Sequence, residues 1–495
     1  MEAFKRSIKS QTIPLSVLDT QGSFSNIPFT IPLSVLDTQG SFSNIPFVFF
    51  YENTAESSDF MSAEALSDSF YRTMQNFPIF AGRLKASGRG HTSIVVDASN
   101  PNMPDYTESS CDVHFDTLKE SGFSWRAWPA GVATAGPMTM AGPSGEIKLI
   151  NVHVVRMQDN SGVAIYFSIP HYILDGVAHM EVMKYWCQVH RLLQSGQLER
   201  LAGMPVFSVD RAIVQECLPK ERRPVDELTH KTFTGFSFIA ELLAWLSPKL
   251  RGWLLSTVIE RQKAEAHLFH ISKASLESLR TTVSALLPEA GAITDSELIL
   301  SAAVKTLAQS QALATGTGAS PAKKDGATLP VAIIFEVREQ LGMTLTNYAG
   351  NVLLPIITVT PLKMLETPTT PESLATMVSN FSVAVNSVDP GLAASHIEMV
   401  MPRPSCFTRP IAQFVTSKTA TSFVYDLMPN MYEADFGNGR PSWVSPIEPF
   451  RANAVLLLTS RDTTDGLDVF MTSYPSVMEE VLKNEFWCDF AKLIY

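Results

Sequence analysis

Two hydrophobic periods meet near the middle of the first half of this chain. Ile147 to Arg156 and Val163 to Ile169 are β-rich apolar runs separated by Asp159-Asn160-Ser161-Gly162, whose turn chemistry predicts a hairpin. The second run stops at Pro170. From Gly176 the period changes: Val177, Met180, Met183, Trp186 and Cys187 recur at helical spacing, and Gln194-Ser195-Gly196 ends the pattern just past Leu193. The stretch between the two periods, His171-Tyr-Ile-Leu-Asp175-Gly176, therefore lies where a strand leaves its sheet and a helix is about to start. A loop held by packed elements on both sides, yet open at its tip, is where reactive side chains tend to be mounted.

The same reading extends along the chain. Leu66, Phe70, Met74 and Phe77 share one helical face, and Val48-Phe-Phe-Tyr-Glu reads as a strand. Farther on, strands are expected at Ala264 to Ile271, Val331 to Val337, Val352 to Thr358 and Thr421 to Tyr425, with a hairpin from Ala454 to Thr472. Thr294-Asp-Ser-Glu297 is a capping box opening a helix through Leu313, and further helices are expected at Pro371 to Asn386 and from Ser476. The mixture predicts an α/β layered fold in two parts: residues 1–218, a crossover rich in proline and charge at 219–262, and residues 263–495. Thr12 to Phe29 recurs unchanged as Thr30 to Phe47. Two copies are too few for a solenoid. The second runs directly into the Val48 strand, so the first reads as surplus, loosely attached and functionally neutral. Ala314 to Lys324 reads as a flexible surface loop, since no strand enters its Gly-Thr-Gly and no helix follows.

Composition narrows the class. With 495 residues, 45% hydrophobic and 18% charged, the chain has material for two full cores. A net charge of −11 argues against nucleic acid as a partner. Cys111, Cys187, Cys217, Cys406 and Cys488 are scattered without a CxxC pair, which favours a reducing compartment and offers no zinc site. The start lacks the apolar core of a signal peptide, and the apolar runs Phe236 to Leu246 and Trp253 to Ile259 are broken by Ser247-Pro248-Lys249 and too short to span a bilayer. A cytoplasmic monomer is expected. Packed interdomain helices are the ordinary reading of those two runs, and a membrane-surface role is the other.

The chemistry sits in His171. A chain with 10 histidines yields HxxxD by chance about 0.4 times, and adding the glycine lowers this to about 0.02. Imidazole titrates near operating pH, so it can take a proton from an acceptor and return one to a leaving group. A second motif, Glu433-Ala-Asp435-Phe436-Gly437-Asn438-Gly439-Arg440-Pro441, is a glycine-punctuated loop in which Asp435 is expected to accept backbone N–H bonds. Its DFG lacks the companion motifs of a kinase. Gly142-Pro-Ser144-Gly145 is not the GxSxG of a hydrolase.

HxxxDG in the first half with DFGxGxP near the end closely resembles the BAHD superfamily of acyl-CoA-dependent acyltransferases, in its fungal secondary-metabolism branch. Phe77-Pro-Ile-Phe-Ala-Gly82-Arg83-Leu84 is similar to that family's PLAGRL segment, and Phe335-Glu-Val-Arg338 with Tyr348-Ala-Gly350-Asn351 to its D-x-R … Y-x-GN region. The resemblance implies two chloramphenicol-acetyltransferase-like lobes with mixed sheets, a channel between them, and DFGNG carried by the second lobe. It implies His171 as general base, with Asp175 and Gly176 supporting the histidine loop and Asp175 paired with Arg338. Asp435 and Gly437 are structural, and Thr421 and Ser422 are oxyanion candidates. Among Lys418, Arg403, Arg409 and Arg440, Lys418 and Arg440 are the candidates for binding acyl-CoA, acetyl-CoA by default, as co-substrate without a resident cofactor or metal. The acceptor would be a small alcohol or amine. Asn438 and Phe423 depart from the family's tryptophans. A condensation domain, which usually carries two adjacent histidines, has Pro170 against it; a non-catalytic metabolite binder of the same fold stays open.

Overall fold

The computed structural model describes residues 29–495 apart from 35, 38–42, 88–90, 137–138, 142–144, 228, most of 231–262, 289–290, 317–327, 345–346, 362–363, 365–366, 401–421, 426–427 and 448–452. Lys418, Thr421, Arg403, Arg409, Cys406 and all but the last residue of the first repeat copy lie outside the described residues.

In the first lobe, strands β1 (Phe29–Pro32) and β2 (Asn44–Glu52) precede helix α1 (Ala63–Met74); β3 (Arg83–Ser87), β4 (His91–Val96), β5 (Asp105–Ser110), β6 (Asn151–Arg156) and β7 (Gly162–Pro170) follow, and α2 (Gly176–Gln194) closes the series. The hairpin and the helix after Gly176 fall where the periodicity puts them. Every residue of β7 is buried, because the strand is central and covered on both faces. α1 ends three residues before Phe77, which turns into a 3₁₀ segment, Pro78–Ala81. Proline restricts its predecessor and cannot donate into the helix, so the apolar face outlasts the helix itself.

The second half of the chain contains β8 (Glu265–Ser272), α3 (Lys273–Ser284), α4 (Asp295–Ala314), β9 (Thr328–Glu336), β10 (Leu353–Pro361), α5 (Pro371–Asn386), β11 (Ser422–Tyr425), β12 (Trp443–Pro446), β13 (Ala454–Thr459), β14 (Gly466–Ser473) and β15 (Lys492–Leu493). The capping box at α4 is complete, with Thr294 and Glu297 satisfying each other's backbone N–H groups. Two short helices, Pro475–Val481 and Glu485–Phe490, stand where one was expected from Ser476.

Both large sheets are mixed, as the fold class requires. The second lobe's seven strands run β10-β9-β11-β13-β14-β8-β15, with β11 parallel to both neighbours. The first lobe's five run β12-β2-β7-β6-β5, and a third sheet joins β1, β4 and β3. The placement of β12 corrects the sequence division: Trp443 to Pro446 pair with Phe50 to Phe47, so this piece of the second half completes the first lobe's sheet. Met431, Tyr432, Ala434, Phe436 and Trp443 accordingly belong to the first lobe's core. DFGNG is carried by the second half of the sequence but docks on the first lobe, because Phe436 finds its apolar surroundings there. Among the described residues, no helix is long and apolar enough to cross a membrane.

Candidate active site

Pro170 ends β7, and the turn from His171 to Leu174 carries the chain into α2, whose N-cap is Asp175. One oxygen of Asp175, Oδ1, accepts the N–H of Ala178 at 2.9 Å, satisfying a donor the helix start would otherwise leave unpaired. The carboxylate is wholly buried and turned away from the loop's tip. Arg338 meets it with both ends of its guanidinium, Nη1 at 2.9 Å from Oδ2 and Nη2 at 3.2 Å from Oδ1. The N–H of Val352 donates to Oδ2 at 2.9 Å. Arg338 is held in turn by Glu336 and by the carbonyl of Gly350 at 2.7 Å. Gly176 is closely approached by Met428, whose flexible methyl end would lie 2.6 Å from an added Cβ and would have to shift.

A second buried pair, Asp37 with Arg211, stands beside the first. Arg211 Nε donates to Asp37 Oδ2 at 2.9 Å, and Nη2 donates to the carbonyl of Ile173 at 2.7 Å, inside the histidine loop. Its Nη1 donates to the carbonyl of Ala349 at 2.8 Å. Burial opposes the charge on Arg211 and Arg338, but the facing carboxylates outweigh it and hold both above the usual arginine range.

The two networks converge on Asn351. Its side-chain amide nitrogen donates to Asp37 Oδ1 at 3.0 Å and to the backbone carbonyl of His171 at 2.8 Å. Both acceptors are oxygens without a proton, so the amide orientation is fixed and Oδ1 faces the imidazole as an acceptor. His171 Nδ1 lies 3.0 Å from that oxygen and must carry the proton. Nε2 then holds the ring's basic lone pair. The backbone N–H of His171 is tied to the carbonyl of Ser43 at 2.8 Å. The half-buried imidazole is thus set between a first-lobe loop and the β9–β10 connection of the second lobe.

The other predicted residues lie elsewhere. Ser422 opens β11 opposite Val331, five residues short of the end of β9 where Asn351 meets the histidine loop. At about 3.3 Å per residue this is roughly 16 Å along the strand. Asp435 Oδ1 accepts the N–H groups of Gly437 at 2.7 Å and Gly439 at 3.0 Å and shapes its own loop. Gly437 there has φ +103, which a side chain would strain. Phe436 packs edge-on against Trp186 at 4.9 Å and His190 at 5.4 Å. These are ten and fourteen residues along α2 from Gly176, so the loop with exposed Asn438 and Arg440 is roughly 15–20 Å from the loop of His171.

A family model described as Transferase family matches residues 16–231, the part that contains His171, Asp175 and Arg211. The solved structure of F. graminearum TRI101 complexed with coenzyme A and T-2 mycotoxin superposes with TM-score 0.70 at 12% identity, covering 94% of this chain and all of that one. Vinorine synthase superposes with TM-score 0.59 at 14% identity, covering 92% of this chain and 93% of that one. The chain shares its fold with both structures. The same fold extends to the first condensation domain of the calcium-dependent antibiotic synthetase, with TM-score 0.52, 14% identity and coverage of 92% and 91%. At these identities the structural likeness is one of fold, and no curated protein matches the sequence. At this site the residues that sequence reasoning missed are Asp37 and Arg211, and no role was read for Asn351.

Proposed function

We propose that this enzyme transfers an acyl group, acetyl by default, from acyl-coenzyme A to a hydroxyl of a small hydrophobic secondary metabolite, with His171 as general base. The observation that supports this most is the pair of ties from Asn351 to His171, which puts the proton on Nδ1 and the basic lone pair on Nε2. F. graminearum TRI101 has been crystallised with coenzyme A together with T-2 mycotoxin, and with coenzyme A together with deoxynivalenol, which supports the same classes of donor and acceptor here.

In this reading Nε2 takes the acceptor's hydroxyl proton as its oxygen attacks the thioester carbonyl. The carbonyl electrons move to oxygen, then return as the C–S bond breaks. The imidazolium gives its proton to the departing thiolate, so the enzyme is regenerated without a covalent acyl intermediate. A positioned base contributes roughly 10²–10⁴ in rate, and holding donor and acceptor together supplies much of the rest. Asp175 and Arg338 do not touch the reacting atoms. They brace the loop from behind. The same reading makes the enzyme a cytoplasmic monomer with acyl-coenzyme A as co-substrate.

Mass spectrometry of products from pooled alcohol and amine acceptors with acetyl-coenzyme A tests the oxygen-acyl reading. The expected product is an acetyl ester cleaved by hydroxylamine. A hydroxylamine-stable amide would assign the reaction to nitrogen instead.

A further inference from the structure

Residues 128–147 contain no helix or strand among their described positions, yet the first-lobe sheet holds them at several points. Side chains alternate along a strand, and Phe167 of β7 stacks on His179 of α2. Tyr166 therefore points to the face opposite α2, as does His153, its cross-strand partner on β6. From that face three strands donate to this segment. His153 Nδ1 donates to the carbonyl of Val132 at 3.0 Å, the Tyr166 hydroxyl to that of Ala135 at 2.8 Å, and Asn44 Nδ2 to that of Gly136 at 2.7 Å. Burial pushes the Tyr166 phenol up to about 12, so it keeps the proton it donates. Carbonyls that an irregular segment would otherwise offer to water are here spent on fixing it to the sheet.

The segment's own donor reaches the histidine loop. Thr139 is buried, and its single hydroxyl proton faces two acceptors, Asn44 Oδ1 at 2.9 Å and the carbonyl of Ser43 at 3.3 Å. The bond from Asn44 Nδ2 to Gly136 orients that amide and leaves Oδ1 to accept. The Ser43 carbonyl is also the one that takes the backbone N–H of His171 at 2.8 Å. One oxygen atom thus separates the Thr139 hydroxyl from the histidine main chain. On the other side of the same residue, the His171 carbonyl accepts from Asn351 at 2.8 Å. Both peptide groups of His171 are tied, one to each lobe. We infer that Thr139 is a positioning residue for the acyl transfer. With Asn44 it fixes Ser43, and Ser43 sets the main chain from which the imidazole reaches the reacting atoms. Such a tie matters because a misplacement of about 1 Å originating away from the chemistry can cost about 10²-fold in rate. The inference rests on His171 acting as the base.

The test compares Thr139→Val, close in shape but without the hydroxyl, with Thr139→Ser, which keeps it. Both full-length variants are measured by acceptor-dependent thiol release, by thermal melt, and by hydrogen exchange at the His171 backbone amide read by mass spectrometry. Thr139→Val is expected to lower kcat by about three- to tenfold, to leave each KM within about twofold, and to speed exchange of the His171 amide while the protein stays folded. Thr139→Ser is expected to return kcat and exchange to native. A native kcat in Thr139→Val would overturn the assignment, and so would a loss that Thr139→Ser leaves unrepaired. Exchange needs no turnover, so the two readings fail separately: native turnover in His171→Ala removes the base, whereas native exchange in Thr139→Val removes the tie.

Discussion

Asn351 holds His171 at two points, accepting from Nδ1 at 3.0 Å and donating to the backbone carbonyl at 2.8 Å. One side chain from the second lobe thus sets both the tautomer of the imidazole and the position of its loop. Asn351→Ala is expected to lower kcat by about tenfold to a hundredfold with a smaller change in KM, because the ring loses its orientation while the Asp175–Arg338 brace remains. The measurement is steady-state kinetics with a thermal melt as control. Equal kcat in the variant would remove Asn351 from the mechanism.

Asp175 and Arg338 form a buried pair in which either partner alone is an uncompensated charge. Asp175→Ala and Arg338→Met are each expected to destabilise the fold by about 3–5 kcal/mol, and the double variant by less than the sum. Denaturant unfolding of the four proteins provides the cycle. Additive losses would mean that the pair carries no coupling.

The tandem repeat makes an unusual prediction. Removing residues 12–29 or residues 30–47 yields the same chain, and that chain keeps one aspartate to meet Arg211. It is expected to match the full-length protein in activity and melting temperature. Asp37→Ala in the shortened chain should then cost about 3–5 kcal/mol, read by denaturant unfolding, because Arg211 is left buried and unpaired. A shortened chain that fails to fold would show that the first copy is structural.

Acid should unfold this protein early. Burial pushes His179 down to about 3, where it stacks on Phe167 at 4.8 Å, and burial likewise lowers His190 to about 4. Their folded pKa values lie below the unfolded value of about 6.5, so the unfolded state binds more protons beneath that pH. Their stabilisation is complete above about 6.5 and is lost as pH falls toward 4. At pH 5 the loss is about 2 kcal/mol for each histidine. His179→Leu should flatten this slope, and a stability curve as steep as that of the native protein would contradict the assignment.

The hairpin, the histidine loop and its helix were legible because the apolar period changes from two to 3.6 within a few residues around Pro170. α4 announced itself through Thr294 and Glu297. In contrast, β5 is mostly exposed and offers no alternation to read. α3 buries only Leu276 and Val283, too thin a stripe to stand out. Asp37 and Arg211 meet across 174 positions, and a buried ion pair leaves no local pattern at either end. The path of DFGNG was hidden for the same reason: sequence order places it in the second half, while the edge-on contacts of Phe436 with Trp186 and Tyr51 place it on the first lobe. His171 was legible as a candidate base, but the residue that orients it came from the other lobe.

The central claim is that His171 acts as the base in transfer from an acyl thioester. Free-thiol release from acyl-coenzyme A with pooled acceptors, compared between the native protein and His171→Ala, tests it most directly. The account predicts acceptor-dependent release that falls by about 10²-fold or more in a variant that remains folded. Equal release from the two proteins, or none from a folded native protein with any donor, would contradict it.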